Sequence, residues 1–159
     1  MILLDDDVEV GSSIRHHLDA GFKSVVTFGV VDIDLPDGLP ADVHRVDFDA
    51  TVRNAQVTVV NAVIEKVPGQ WVYYCYNTEY IFFPFCEHRA IGEMLAYHTE
   101  EQRDAVLTYV VDLYAGDLHE SPTAVSVDDT YMDKSGYYAL ARKDAQNEFE
   151  ERQLDFYGA

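Results

Sequence analysis

Three consecutive aspartates, Asp5, Asp6 and Asp7, follow an apolar run at residues 1–4. Carboxylates are hard oxygen donors that suit Mg or Mn, and they also accept hydrogen bonds from a ligand's hydroxyls. They are equally at home at the start of a helix, where the dipole favours negative charge. A second polar group, Tyr76-Asn77-Thr78-Glu79-Tyr80, interrupts the most aromatic stretch of the chain, QWVYYCYNTEYIFFPFC at residues 70–86. Glu79 carries its carboxylate, while Asn77 and Thr78 supply neutral hydrogen-bonding groups. Polar residues flanked so closely by strand-like ones fit the carboxyl end of a strand, where open α/β sheets bind ligands. They also fit an ordinary turn after a buried strand. Cys86-Glu87-His88 are adjacent at an expected loop–helix junction and cannot easily converge on one ion. His17 lies near the Leu18 face of an expected helix and reads as a core histidine.

The elements that must position these groups follow from periodicity. Residues 1–4 form a first strand. Val10, Ile14 and Leu18 recur every four residues, which puts them on one helical face, and Gly21 ends that helix. Residues 22–31, FKSVVTFGVV, are rich in β-branched residues and read as a strand. The acidic, proline-bearing stretch DIDLPDGLPAD at residues 32–42 is a loop, and a short strand over 43–48 follows. Asp49 or Thr51 is suited to cap a helix over 52–66 that Pro68-Gly69 terminates. Trp71, Val72, Tyr73, Tyr74 and Cys75 read as a buried, central strand, apolar on both sides. A helix over 87–97 and a strand over 105–114 come next. Residues 116–133 are turn-rich, 136–142 suggest a last strand, and 144–156 a polar tail with helical character.

This alternation implies an α/β domain with an open, largely parallel, Rossmann-like sheet and helices on both faces. Right-handed crossovers bring the end of the first strand and the segment from Tyr76 to Glu79 to one sheet edge. Asp5 to Asp7 and Asn77 to Glu79 are therefore expected to face one crevice. The 159 residues are read as a single domain with its own core. The net charge of −18 argues against nucleic acid and anionic membranes as partners, since both are polyanions. Cys75 and Cys86 stand in apolar surroundings and read as buried free thiols of a reducing compartment, hence a cytoplasmic protein. The aspartates cut the N-terminal apolar run too short for a signal peptide, and no stretch approaches a membrane span.

Two segments carry a family resemblance. Leu18-Asp19-Ala20-Gly21-Phe22, preceded by His16-His17 and followed by Val25-Val26, resembles the "helix, H-x-L-x-x-G-F, strand" opening of family 2-type glycosyltransferases. Trp71 with Glu79-Tyr80-Ile81 resembles the "W, four residues, D-x-D-E-[FY]" motif of the same enzymes. Together they cover roughly residues 1 to 86. The resemblance implies a GT-A fold, a nucleotide-sugar donor bound at the strand ends, and a sugar or glycan acceptor. With the crevice inferred above, Asp5, Asp6, Asp7, Asn77 and Thr78 are the residues expected to bind that ligand. Glu79 is the motif acid retained, and so the expected catalytic and metal-ligating residue; Asp129, with Asp128 and Asp133, is the nearest candidate for a base. In such enzymes a divalent metal, Mg or Mn, neutralises the leaving diphosphate.

The chain departs from that motif at its centre. Counted without gaps from Trp71, Tyr76 and Thr78 occupy the two metal-binding aspartate positions. Shifting by one residue gives Asn77-Thr78-Glu79, an N-x-E in place of D-x-D. Weak metal binding and little sugar transfer are the expectation, and a non-catalytic nucleotide- or sugar-binding module is the neighbouring reading. A competing resemblance covers only the start. Ile2-Leu3-Leu4-Asp5-Asp6-Asp7 looks like the acidic strand end of response-regulator receiver domains. The aspartates also echo the D-x-D of haloacid-dehalogenase-type phosphatases, and both would use them for Mg-dependent phosphoryl transfer.

Overall fold

The computed structural model describes residues 1–132 and the backbone of two strands, 137–142 and 153–158. Contacts gather into two compact units, Met1–Thr108 and Tyr109–Ala159. The first unit holds β1 (Ile2–Leu3), α1 (Val10–Asp19), β2 (Val25–Gly29), β3 (Val43–Asp47), α2 (Ala55–Lys66), β4 (Cys75–Tyr76) and α3 (Ile91–Glu100). The four strands form one parallel sheet in the order β3-β2-β1-β4. The second unit pairs β5 (Tyr114–Ala115) with β6 (Thr130–Tyr131), and β7 (Tyr137–Arg142) with β8 (Gln153–Gly158), both antiparallel. The first unit is thus α/β, compatible with a Rossmann-like fold. No described helix is long and apolar enough to cross a membrane.

Alternation along β1 sets the layers of the first unit. Successive strand side chains point to opposite faces. Ile2 and Leu4 pack with Val10 and Ile14 of α1, Val25 and Cys75. Leu3 packs the other way, with Ala50 and with Ala55 of α2. Helices therefore cover both faces, and β1 is wholly buried between them. Each such aliphatic side chain contributes about 2 kcal/mol by leaving water. Gly21, at φ +93, lies just past α1, where only glycine is unstrained, and so ends the helix as the sequence suggests. Ile81, Phe83 and Ile91 of α3 make a third cluster, with Phe22 and Tyr73 packed against it.

Beneath α1, His17 is a core histidine, 2% exposed. Its Nδ1 lies 2.7 Å from the Ser13 carbonyl, which can only accept, so Nδ1 carries the proton. Nε2 then faces the Cys75 thiol at 3.5 Å, and Tyr73 stacks on the ring at 5.6 Å. Burial pushes the Cys75 thiol up to about 12. Only a thiolate attacks a thiol reagent. A disulfide reagent at mildly alkaline pH should therefore label the half-buried Cys86 in the native protein and reach Cys75 only after unfolding. Equal labelling of both sulfurs in the native state would contradict this packing.

Several expected elements come out differently. The strand expected over Trp71–Cys75 shrinks to Cys75–Tyr76, and it is an edge strand; β1 and β2 are the inner ones. β4 can pair only where β1 has residues to meet it, with Ile2 opposite Cys75 and Leu3 opposite Tyr76. Tyr73 instead packs sideways on His17 and Phe22. The strand expected over 105–114 is absent from that sheet: residues 105–113 are exposed and neither helix nor strand, and only Tyr114 joins a strand. Strand-type composition alone does not make a strand, since β propensity depends on tertiary context. α2 begins at Ala55 and α3 at Ile91, each a few residues later than expected. Asp49 closes the turn before α2, accepting from the Thr51 backbone N–H at 2.9 Å and from its hydroxyl. The expected helical tail over 144–156 lies mostly outside the described residues, and its end, from Gln153, is strand β8.

Candidate functional site

The chain runs outward from β1 to β2 and β3, then returns to lay β4 on the other side of β1. Strand order reverses between β1 and β4, the place where open α/β sheets form a ligand crevice beyond their carboxyl ends. Asp5 to Asp7 leave β1 there, and Asn77 follows β4 directly. The two segments expected to meet do meet. Asn77 is fully buried. Its Nδ2 donates to Asp6 Oδ1 and to the Val8 carbonyl, each at 2.7 Å, and its Oδ1 accepts from the Asp5 N–H at 3.4 Å. Asp6 Oδ1 also accepts from the Val8 N–H at 2.9 Å. Asn77 and Asp6 are thereby spent on shaping the β1–α1 loop. Asp5 and Asp7 keep exposed carboxylates.

Glu79 turns back on its own strand. Its Oε2 accepts from the Tyr76 N–H at 2.7 Å, and its N–H donates to the Tyr76 carbonyl at 3.1 Å. Burial, with the charges of Asp5 and Glu79, raises the Tyr76 hydroxyl above its usual range, so it stays neutral. Thr78 is exposed. Asp129 belongs to the second unit, beside β6, where its N–H donates to Ser126 Oγ at 3.0 Å. The donor set around Glu79 is therefore two neutral oxygens and one carboxylate already holding an amide. Among the described residues no three His, Cys, Asp or Glu side chains gather into a metal group. These residues do not fit a divalent ion of the D-x-D kind, which asks for several anionic oxygens.

An open cleft of about 390 Å³ lies beside the crevice, between the first turn of α1 and the loop after β2. Asp7, Glu9, Ser12, Arg15, Asp34 and Pro36 line it. Arg45 on β3 fixes the loop, donating Nη1 to the Ile33 carbonyl at 2.6 Å and Nη2 to the Val30 carbonyl. Gly11 lets helix and loop close up: a Cβ there would lie 2.8 Å from Pro36 Cγ and 3.4 Å from Arg15 Nη1. Ser12 Oγ bonds the Glu9 carboxylate and lies 2.7 Å from the Tyr80 hydroxyl, tying the cleft to the segment after β4. Arg15 makes no hydrogen bond or ion pair with any described residue. Sequence reasoning overlooked Arg15, Glu9, Ser12 and Tyr80 as site residues. One signal was present: Arg15 is the sole lysine or arginine among residues 1–22. No family model, curated protein or solved structure matches the chain.

Proposed function

We propose that the Met1–Thr108 unit is a glycosyltransferase-like, GT-A-like module that binds a nucleotide-sugar or nucleoside diphosphate at the carboxyl end of its sheet. The observation that carries this reading is the meeting of Asp5–Asp7 with Asn77 where strand order reverses, next to an open cleft. The exposed carboxylates of Asp5 and Asp7 would accept from ribose or sugar hydroxyls. A cleft of about 390 Å³ is in the range that holds a small organic ligand. The module acts in binding more than in transfer. Metal-assisted departure of a diphosphate depends on preorganised charge, worth several kcal/mol. Tyr76, Thr78 and an engaged Glu79 do not supply it. The buried free thiol of Cys75 supports a reducing, cytoplasmic setting.

Titration calorimetry with UDP, GDP and their sugars tests the reading. Saturable heat at millimolar concentration or below is expected, with a rise in melting temperature, because a ligand of the folded state stabilises by mass action. Absence of both effects with every nucleotide would remove the proposal. Covalent labelling of Asp5, Asp6 or Asp7 by acetyl phosphate would instead point to phosphotransfer. The engagement of Asp6 by Asn77 and Val8 speaks against that outcome.

A further inference from the structure

A diphosphate needs positive charge, and the residues at the D-x-D positions do not fit a divalent ion. Arg15 is the one cation lining the cleft. Its guanidinium lies over Gly11, with Nη1 and Nη2 3.4 and 3.5 Å from where a Cβ would stand, so the head group is at the cleft wall. It has no hydrogen-bonding or ion-pairing partner among the described residues, although Asp7, Glu9 and Asp34 line the same cleft. An unpaired guanidinium offers a planar fork of donors that matches phosphate oxygens two at a time. The carboxylates facing it cannot accept a phosphate. They can accept the hydroxyls of a ribose or the N–H groups of a base. The cleft is thus polarised, with one anion-receiving wall and acceptor groups elsewhere.

We infer that Arg15 receives the phosphate of the bound nucleotide, so that binding in this cleft is independent of a divalent metal. This rests on the nucleotide-binding reading above and adds the means of charge neutralisation. Phosphate sits on Arg15, while ribose and base face Asp7 and Asp34. Arginine in this role is permanently charged, so the site keeps its affinity in the presence of a chelator.

The test is calorimetric titration of the full chain with GDP and with UDP, in excess EDTA and again in excess manganese, for the native chain, Arg15→Gln and Arg15→Lys. Arg15 is exposed, so neither variant should unfold the protein, and circular dichroism checks this. Equal affinity in EDTA and manganese is expected. Arg15→Gln should weaken binding about tenfold or more, the loss of one charge-assisted pair of hydrogen bonds, and Arg15→Lys should restore part of it. Binding that needs manganese, or that ignores Arg15→Gln, overturns this inference and leaves the proposed function standing. No binding under either condition overturns both.

Discussion

Lowering the pH from 7 to 4 should cost the native state about 3 kcal/mol through one side chain, His17. Burial holds its imidazole down from the usual 6.5 to about 4; the hydrogen bond to the Ser13 carbonyl opposes the shift, and the nearby charge of His16 adds to it. The structural cause is plain. Nδ1 already gives its proton to Ser13, and Nε2 faces a thiol, a poor acceptor, under a stacked tyrosine. A second proton would be buried without a partner. In the unfolded chain nothing prevents it. The unfolded state therefore binds more protons between about pH 6.5 and 4, and stability falls as pH falls through that window. Above pH 6.5 the contribution is complete. Urea unfolding of the native chain and of His17→Gln at several pH values checks it. The variant should be less stable at pH 7 and lose less between pH 6.5 and 4.5. Parallel pH profiles for the two proteins would show that His17 is not the titrating group. Carboxylates that protonate near pH 4 affect both chains alike and drop out of the comparison.

His17 also marks what the sequence could convey. Its place near the apolar face of α1 was legible because helical spacing is a local property, and so were α1, β2, β3 and the loop between the last two. The convergence of Asp5–Asp7 with Asn77 was legible too, since handedness and strand order restrict where a crossover can return. What failed was non-local. The apolar run at residues 71–75 looked like a central strand because its side chains are apolar on both sides, yet aromatics can satisfy burial by packing sideways, as Tyr73 does on His17 and Phe22. Residues 105–113 have strand composition yet form no strand, because β propensity reports fit to a half-buried pleated surface and these residues are exposed. Hydrophobicity reports a wish for cover and not the direction from which cover comes. The cleft escaped notice for a related reason. Arg15 and Asp34 lie on different elements, which meet where Ile33 shares a core cluster with Val10 and Ile14 and where Pro36 approaches Gly11. A glycine early in a helix reads in sequence as a weak helix former; its use as a contact point is visible only in three dimensions.

The largest single-residue effect on the crevice is expected at Asn77. Its amide closes the loop by pairing three polar groups: the Asp6 carboxylate, the Val8 carbonyl and the Asp5 N–H. Asn77→Ala deletes the donors and the acceptor together and leaves a cavity in a fully buried position. Stranded polar groups cost about 1–3 kcal/mol each when water cannot reach them, so a net loss of about 3 kcal/mol is expected, part of it recovered by water entering the crevice. Asn77→Asp is the sharper probe. It conserves shape, but turns two donated hydrogen bonds into contacts between a carboxylate, the Asp6 carboxylate and a carbonyl. Its deficit relative to the native chain should be larger than that of Asn77→Ala at pH 7 and should shrink below about pH 5, as one of the paired acids takes up a proton. Glu79→Gln separates this scaffold from its neighbour. A glutamine oxygen can still accept from the Tyr76 N–H, so only the charge-assisted part of that bond is lost, about 1 kcal/mol, and nucleotide binding through Arg15 should persist. Denaturant midpoints and calorimetric affinities of the three variants decide the matter. If Glu79→Gln abolished binding while Asn77→Ala left stability and binding intact, the roles assigned to the two residues would have to be exchanged.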